Sequence, residues 1–345
     1  MMVKLKRLIN IFFSLIIFLC FSVSTAHAAK IVGLVQVRNE ALVIEQMLRA
    51  LAFYTDAIIV LDDASEDTTV SIIESVAQEL SIVSILKNTH SAWQITSEVE
   101  NRQKLLDAGR AVGGTHFMVI DADEILSANC AFNNYLKRRI LALAPGMILQ
   151  MPCVNMWNGI THWRNDEWCN PYQVRWLKEI AFCDDGVCSY APNSTYGGPA
   201  KIIHVHRVPL NIVYGTTGFA RRIVDNDTLE RVLLHFKYAN LDAISIKKNW
   251  YMCLEFIRAQ EKNNNAFSNA TCINKVYGQK EFECLIPDDE KIELCPVFSS
   301  WFAYKGIDFF CFTLLYSAHQ KEIKRWFSSY GVDYFANLNL DSSKI

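Results

Sequence analysis

Phe117-Met118-Val119-Ile120-Asp121-Ala122-Asp123-Glu124 is an apolar run that ends abruptly in carboxylates. The apolar part has strand character, and a strand directs residues i and i+2 to the same side. Alternation therefore predicts that Asp121 and Asp123 aim into one spot just past the strand end. Two hard oxygen ligands with no Cys or His beside them suit Mg²⁺ or Mn²⁺. A divalent ion held by few protein oxygens is what a diphosphate-bearing ligand needs.

Working outward, the chain upstream repeats a strand–helix unit. Ile31 to Val37 is a continuous apolar run, the mark of a strand buried on both faces. It ends in Arg38-Asn39-Glu40, and a helix follows with Leu42, Ile44, Met47, Leu48 and Leu51 on its apolar side. Ala57 to Leu61 reads as a second strand, ended by Asp62-Asp63, and Thr68 to Leu80 as a helix. Ile82 to Leu86 is a third strand, Val99 to Val112 a helix stopped by Gly113-Gly114, and Phe117 to Ile120 the fourth strand. This alternation predicts an α/β fold built on an open sheet with parallel strands. Ligands of such sheets bind beyond the carboxyl ends of the strands, where the three polar clusters fall. No G-x-G-x-x-G and no P-loop follow the first strand, which argues against a Rossmann dehydrogenase or a P-loop NTPase.

From Gly146 the pattern changes to short strands rich in aromatic and turn residues. Met147 to Val154, Ile202 to Val208 and Leu233 to Phe236 read as strands, and Leu241 to Gln260 as a helix. His204 and His206 alternate on one of these strands. The tail from Glu261 is Asn- and Cys-rich before an aromatic helical end.

Composition narrows the class. The 345 residues are 51% hydrophobic and 20% charged with a net charge of −2, so no broad basic patch is available for nucleic acid. Lys4, Lys6 and Arg7 precede an apolar run from Leu8 to Val23, and Ala26-His27-Ala28 follows. This pattern predicts a signal peptide over residues 1–28, or alternatively an uncleaved membrane anchor over residues 8–23. Either way the rest of the chain is expected across the membrane, secreted or luminal. Eleven Cys, one of them in the leader, fit an oxidising compartment. Cys183 and Cys188 flank a turn and can close a small disulfide loop, while Cys272, Cys284 and Cys295 give a stapled look to the tail. No C-x₂-C pair suggests zinc. Sequons stand at Asn193, Asn226 and Asn269.

Together, Val35-Gln36-Val37-Arg38-Asn39-Glu40, Val60-Leu61-Asp62-Asp63-Ala64-Ser65-Glu66-Asp67-Thr68-Thr69 and Ile120-Asp121-Ala122-Asp123-Glu124 resemble the GT-A-fold, family-2-like glycosyltransferases. The resemblance is close over about residues 30 to 130. Leu233-Leu234-His235-Phe236-Lys237-Tyr238 resembles the superfamily's late His motif. The likeness implies a GT-A domain over residues 30–240, an open mixed sheet flanked by helices, followed by a helical Cys-rich extension over 241–345. It implies that Val37, Asn39, Glu40, Asp62, Asp63, Arg102 and Asp121 meet the donor, with Asp63 reading the base or ribose. It also implies that Asp121, Asp123 and His235 bind Mn²⁺ or Mg²⁺. The donor so implied is a UDP- or GDP-linked sugar; the acceptor is a glycan, lipid or protein.

Inverting transfer needs a carboxylate base near the acceptor hydroxyl. Asp166 and Glu167 are the candidates because Trp157, Trp163 and Trp168 surround them and aromatic faces suit sugar rings. Asp184 and Asp185 are the reserve. Two other classes stay in view. One is a non-catalytic descendant that binds glycans or nucleotides. The other is a nucleotidyltransferase, which would bring a Gly- and basic-rich loop after the first strand; none follows Val37.

Overall fold

Apolar side chains that alternate along each early strand serve two separate cores, one on each face of the sheet. In the computed structural model, β1 (Ile31–Val37) sends Ile31, Val35 and Val37 into one core and Val32 and Leu34 into the other. The first core takes Ile44, Met47, Leu48 and Leu51 from α1 (Ile44–Ala52). Next come β2 (Ala57–Asp62), α2 (Thr69–Val76), β3 (Ile82–Lys87) and α3 (Ile95–Ala111), whose Leu105 and Leu106 enter the second core. Then β4 (His116–Val119) splits in the same way, Met118 to one face and Phe117 and Val119 to the other. β1 pairs in parallel with β2 and β4, and β2 with β3. Gly33 permits the close seat of α1, since a Cβ there would lie 2.8 Å from Leu51 Cδ2.

The structure describes residues 28–90, 95–165, 177–190, 207–209, 221–224, 229–262, 293–307 and, apart from 337, 339 and 341, 317–344. Residues 1–27, on which the expected signal peptide or anchor rests, His204, His206, the three sequon asparagines, and Cys272 and Cys284 lie outside these. Among the described residues no helix is long and apolar enough to cross a membrane.

After β4 come β5 (Glu124–Leu126), α4 (Tyr135–Leu141), β6 (Met147–Trp157), β7 (His162–Arg164) and β8 (Leu177–Cys183). They are followed by β9 (Arg221–Val224), β10 (Leu233–His235), α5 (Leu241–Lys262), β11 (Leu294–Pro296) and α6 (Ser317–Tyr330). The strand order is β11-β7-β6-β8-β4-β1-β2-β3, with β9, β10 and β5 branching from it. β8 runs antiparallel to both β4 and β6. This is the open mixed sheet flanked by helices that the sequence predicts.

The long strand β6 works twice. Its first half pairs with β8 and β9, and its second half with β10 and β7. β5 pairs antiparallel with β10, so the turn after β4 is tied into this second group. α5 and α6 build a third core from Trp250, Met252, Cys253, Phe256 and Ile323.

Two expectations need correcting. β4 ends at Val119, one residue early, and Asp121 to Glu124 form a turn closed by the Glu124 N–H donating to the Asp121 carbonyl at 3.0 Å. Asp121 and Asp123 therefore do not ride on strand alternation. The Cys183–Cys188 disulfide does not form, and both side chains are thiols, as is Cys295. The Asp184 and Asp185 carboxylates accept from the Gly186, Val187 and Cys188 amides at 2.7–3.0 Å, which closes that turn without sulfur chemistry.

Candidate functional site

The loops after β1 and β2 are stitched together by side chains that satisfy backbone amides. Asn39 takes a left-handed conformation, φ 53°, one that Asn tolerates better than most residues. Its N–H donates to Ser65 Oγ and its own Oδ1 accepts from the Glu66 N–H. The Glu40 N–H donates to Thr69 Oγ1 at 2.9 Å. Asp62 turns back on its loop and accepts from the Ser65 N–H with both oxygens, and burial pushes its carboxyl up. Asp63 is different. Its N–H donates to the Val37 carbonyl, while its Oδ1 accepts from Asn88 Nδ2 at 2.7 Å and Asn101 Nδ2 at 3.2 Å. Asp63 thus lies where the ends of β2 and β3 meet α3.

The turn after β4 carries three carboxylates with distinct partners. Asp121 is paired by Arg207, and its Oδ1 lies 3.7 Å from Arg102 Nη2. Burial would lift its carboxyl, but Arg207, Arg102 and Lys178 outweigh burial and hold it down to about 2. Glu124, fully buried, pairs with Arg207 at 2.6 Å and with Lys178. Asp123 faces His235 and Lys247, its Oδ2 standing 3.6 Å from His235 Nε2 and 3.5 Å from Lys247 Nζ. Against the cost of burial, Lys247 foremost holds its carboxyl well below the usual range. Lys247 also donates to Glu40 at 2.7 Å, yet burial still pushes the Glu40 carboxyl up to about 7.

Position of His235 is set by backbone pairing. β10 places it opposite Glu124 of β5 on one side and Asn155 of β6 on the other. The next residue anchors the acidic turn, the Phe236 N–H donating to the Asp123 carbonyl at 2.9 Å. Burial lowers the imidazole pKa, so the ring is neutral at neutral pH. Its Nδ1 lies 2.9 Å from Asn155 Oδ1. With Nδ1–H donated there, the Nε2 lone pair faces the Asp123 carboxylate, and two electron-rich groups that close fit a cation between them. The donor chemistry at Asp123 and His235 therefore suits a divalent ion.

Asp121 is engaged instead by Arg207 and Arg102. Among the described residues, His235 also forms a buried potential ligand group with Glu124 and Cys153. Burial pushes the Cys153 thiol up to about 12, which keeps it protonated. A second potential ligand group is Asp184, Asp185 and Cys188.

Asp166, Glu167 and Trp168 lie outside the described residues. The reserve pair is far from the rim: Cys183 is in register with His116 at the start of β4, so Asp184 and Asp185 sit at the end opposite Asp121. Asp184 is held there by two Arg110 nitrogens, both at 2.8 Å. Trp163 packs in the core against Trp301, and Trp157 lies under the Arg164 guanidinium, 4.6 Å from its ring centre.

Sequence reasoning missed Glu124, Asn155, Lys178, Arg207 and Lys247 as site residues. Glu124 adjoins the acidic pair and was open to notice. The other four carry no local signal, because none of them falls within a recognisable motif.

No protein-family model matches the chain, and no curated protein matches it. Solved structures do. Residues covering 74% of this chain align with 72% of Staphylococcus aureus TarS 1-349 in complex with UDP, at 13% identity and a TM-score of 0.40. The mannosyltransferase PcManGT from Pyrobaculum calidifontis, in complex with GDP-Man and Mn²⁺, aligns over 75% of this chain and 70% of its own at 17% identity, TM-score 0.39. GalNAc-T7 with UDP, GalNAc and Mn²⁺ aligns over 77% and 57% at 10% identity, TM-score 0.36. At identities and scores this low, what the site can do has to come from its own residues.

Proposed function

We propose that this protein is a GT-A-type glycosyltransferase that moves a sugar from a UDP- or GDP-linked donor to a hydroxyl acceptor, with Mn²⁺ or Mg²⁺ at Asp123 and His235. One observation carries the reading. Asp63, Glu40 and the Asp121–Glu124 turn meet on a single rim, where carboxylates and a neutral imidazole face a belt of four cations. Carboxylates alone would hold an ion and cations alone would hold an anion. A rim with both is suited to an ion and a diphosphate together.

In this reading Asp63 receives the nucleoside, and Arg102, Lys178 and Arg207 supply positive charge toward the phosphates. Asn155 fixes the His235 tautomer. A bound divalent ion would offset the charge that builds on the departing nucleoside diphosphate. The acceptor base belongs to the segment around Asp166 and Glu167, which the displacement needs within hydrogen-bond reach of the nucleophile. The charge and hydropathy pattern of residues 1–28 supports a reaction in the secretory pathway or another extracytoplasmic space.

The second reading, a binding protein without catalysis, draws on the same rim, because Glu40, Asp121, Asp123 and Glu124 already have resident cations. Calorimetric titration of UDP and GDP with and without Mn²⁺ tests the donor site. Binding that needs the metal and is lost in Asp123→Asn supports it, and absence of binding to folded protein overturns it. Release of UDP or GDP from the matching sugar nucleotide then separates an enzyme from a binder.

A further inference from the structure

The β10–α5 segment delivers two groups to one carboxylate. His235 at the end of β10 and Lys247 in the second turn of α5 both approach Asp123 Oδ2, at 3.6 and 3.5 Å. Lys247 is nearly buried, and its ammonium is also hydrogen-bonded to Glu40 Oε1 at 2.7 Å. It thereby links the end of β1 to the turn after β4. Arg207 stands in the same relation to Asp121 and Glu124.

We propose that Lys247 is a diphosphate-binding residue, a cation stored against Asp123 while the site is empty and turned to the donor's phosphates when a divalent ion takes Asp123. The inference rests on the donor-site reading above. With both carboxylates ionised, Glu40, Asp123 and Lys247 together carry one negative charge, a poor seat for an anion. A divalent ion held by Asp123 would reverse that sign and would take over from Lys247 as the partner of Asp123, leaving Glu40 to keep the ammonium at the rim. A lysine presents its three donors on a compact point charge, so it can keep Glu40 and gain a phosphate oxygen at once. This explains why a helix outside the parallel half of the sheet places a charged residue in its interior.

The test is a ligand ladder of nucleoside, monophosphate and diphosphate, uridine and guanosine series both, titrated with Mn²⁺ into wild type, Lys247→Met and Lys247→Arg. A charge-assisted hydrogen bond is worth enough to predict a loss of about tenfold or more in the diphosphate-over-monophosphate gain of Lys247→Met. Nucleoside affinity should stay within about twofold, and Lys247→Arg should recover part of the gain. Because Lys247→Met strands two carboxylates, Glu40→Gln/Lys247→Met is run beside it to keep a folded comparison. An unchanged diphosphate gain in either folded variant overturns the role of Lys247 alone. No nucleotide binding by wild type overturns the donor-site reading and, with it, this role.

Discussion

Removing one carboxylate from α6 should weaken both the fold and the rim. Glu322, 3% exposed, accepts from Arg38 Nη2 with both oxygens at 2.8 and 2.9 Å, and from Trp250 Nε1 at 2.7 Å. Arg38 in turn donates to the Asp63 carbonyl at 3.1 Å, so Glu322 supports the residue proposed to receive the nucleoside. Breaking a buried ion pair by deleting one partner costs about 3–5 kcal/mol. Arg38 retains the Asp63 carbonyl and touches solvent, so Glu322→Ala should lose somewhat less, about 2–4 kcal/mol. Glu322→Gln keeps the shape and one acceptor and should lose about 1–2 kcal/mol.

The assay is urea unfolding of both variants, of Arg38→Met, of Glu322→Leu, and of Arg38→Met/Glu322→Leu. If the pair is what matters, the apolar double variant recovers much of the loss, because burying two charges is itself costly. A Glu322→Ala loss below about 0.5 kcal/mol, the range of ordinary surface changes, would refute the reasoning. So would strict additivity of the two single changes.

The contribution of Glu40 to the stability of the metal-free protein should fall as pH rises toward 7, against the opposite contribution of the buried His116, His235 and His319. Folded Glu40 binds a proton up to about pH 7 that the unfolded chain gives up nearer the usual carboxylate range, so the native state is favoured on the acid side of that window. In chelator, the unfolding free energy of wild type less that of Glu40→Gln should show a slope of up to about −1.4 kcal/mol per pH unit from about pH 5 to 7. Asp121 carries the opposite sign: its carboxyl is held down, so its contribution is lost as pH falls below the usual range, and Asp121→Asn should soften acid unfolding. Asn155→Ala should weaken Mn²⁺ binding by about tenfold or more, read by electron paramagnetic resonance of free Mn²⁺, because it frees the His235 ring. Gly33→Ala should cost about 1–2 kcal/mol in thermal unfolding, since the added methyl displaces Leu51 and presses Thr55 Cγ2 at 3.3 Å.

Strands β1 to β4 were legible because a strand buried on both faces must be apolar at nearly every position. The rim was legible because each strand end breaks that run with charge. Asp121 and Asp123 were found, but their geometry was not: a turn closing one residue early gives each aspartate its own set of partners. The cations were hidden for another reason. Lys178 interrupts a strand and Lys247 a helix as ordinary polar positions, and nothing local distinguishes a lysine facing water from one facing Asp123. Cys183 and Cys188 misled because spacing alone cannot tell a disulfide loop from a turn already closed by Asp184 and Asp185.

Sequence separation at the rim has a consequence for how the protein is made. Arg38 and Glu322 are 284 residues apart, and Glu40 and Lys247 are 207 apart. On the ribosome, β1 to β4 are complete long before either partner has been translated. During that interval the rim holds Glu40, Asp121, Asp123 and Glu124 with Arg102 as the one described cation of its belt already made. Closing such long loops is slow, and the repulsion among these carboxylates persists until the downstream lysines and Arg207 arrive. The nascent parallel half is therefore a customer for folding assistance, and a truncated chain ending before β8 would keep its acidic rim exposed to any basic surface it meets.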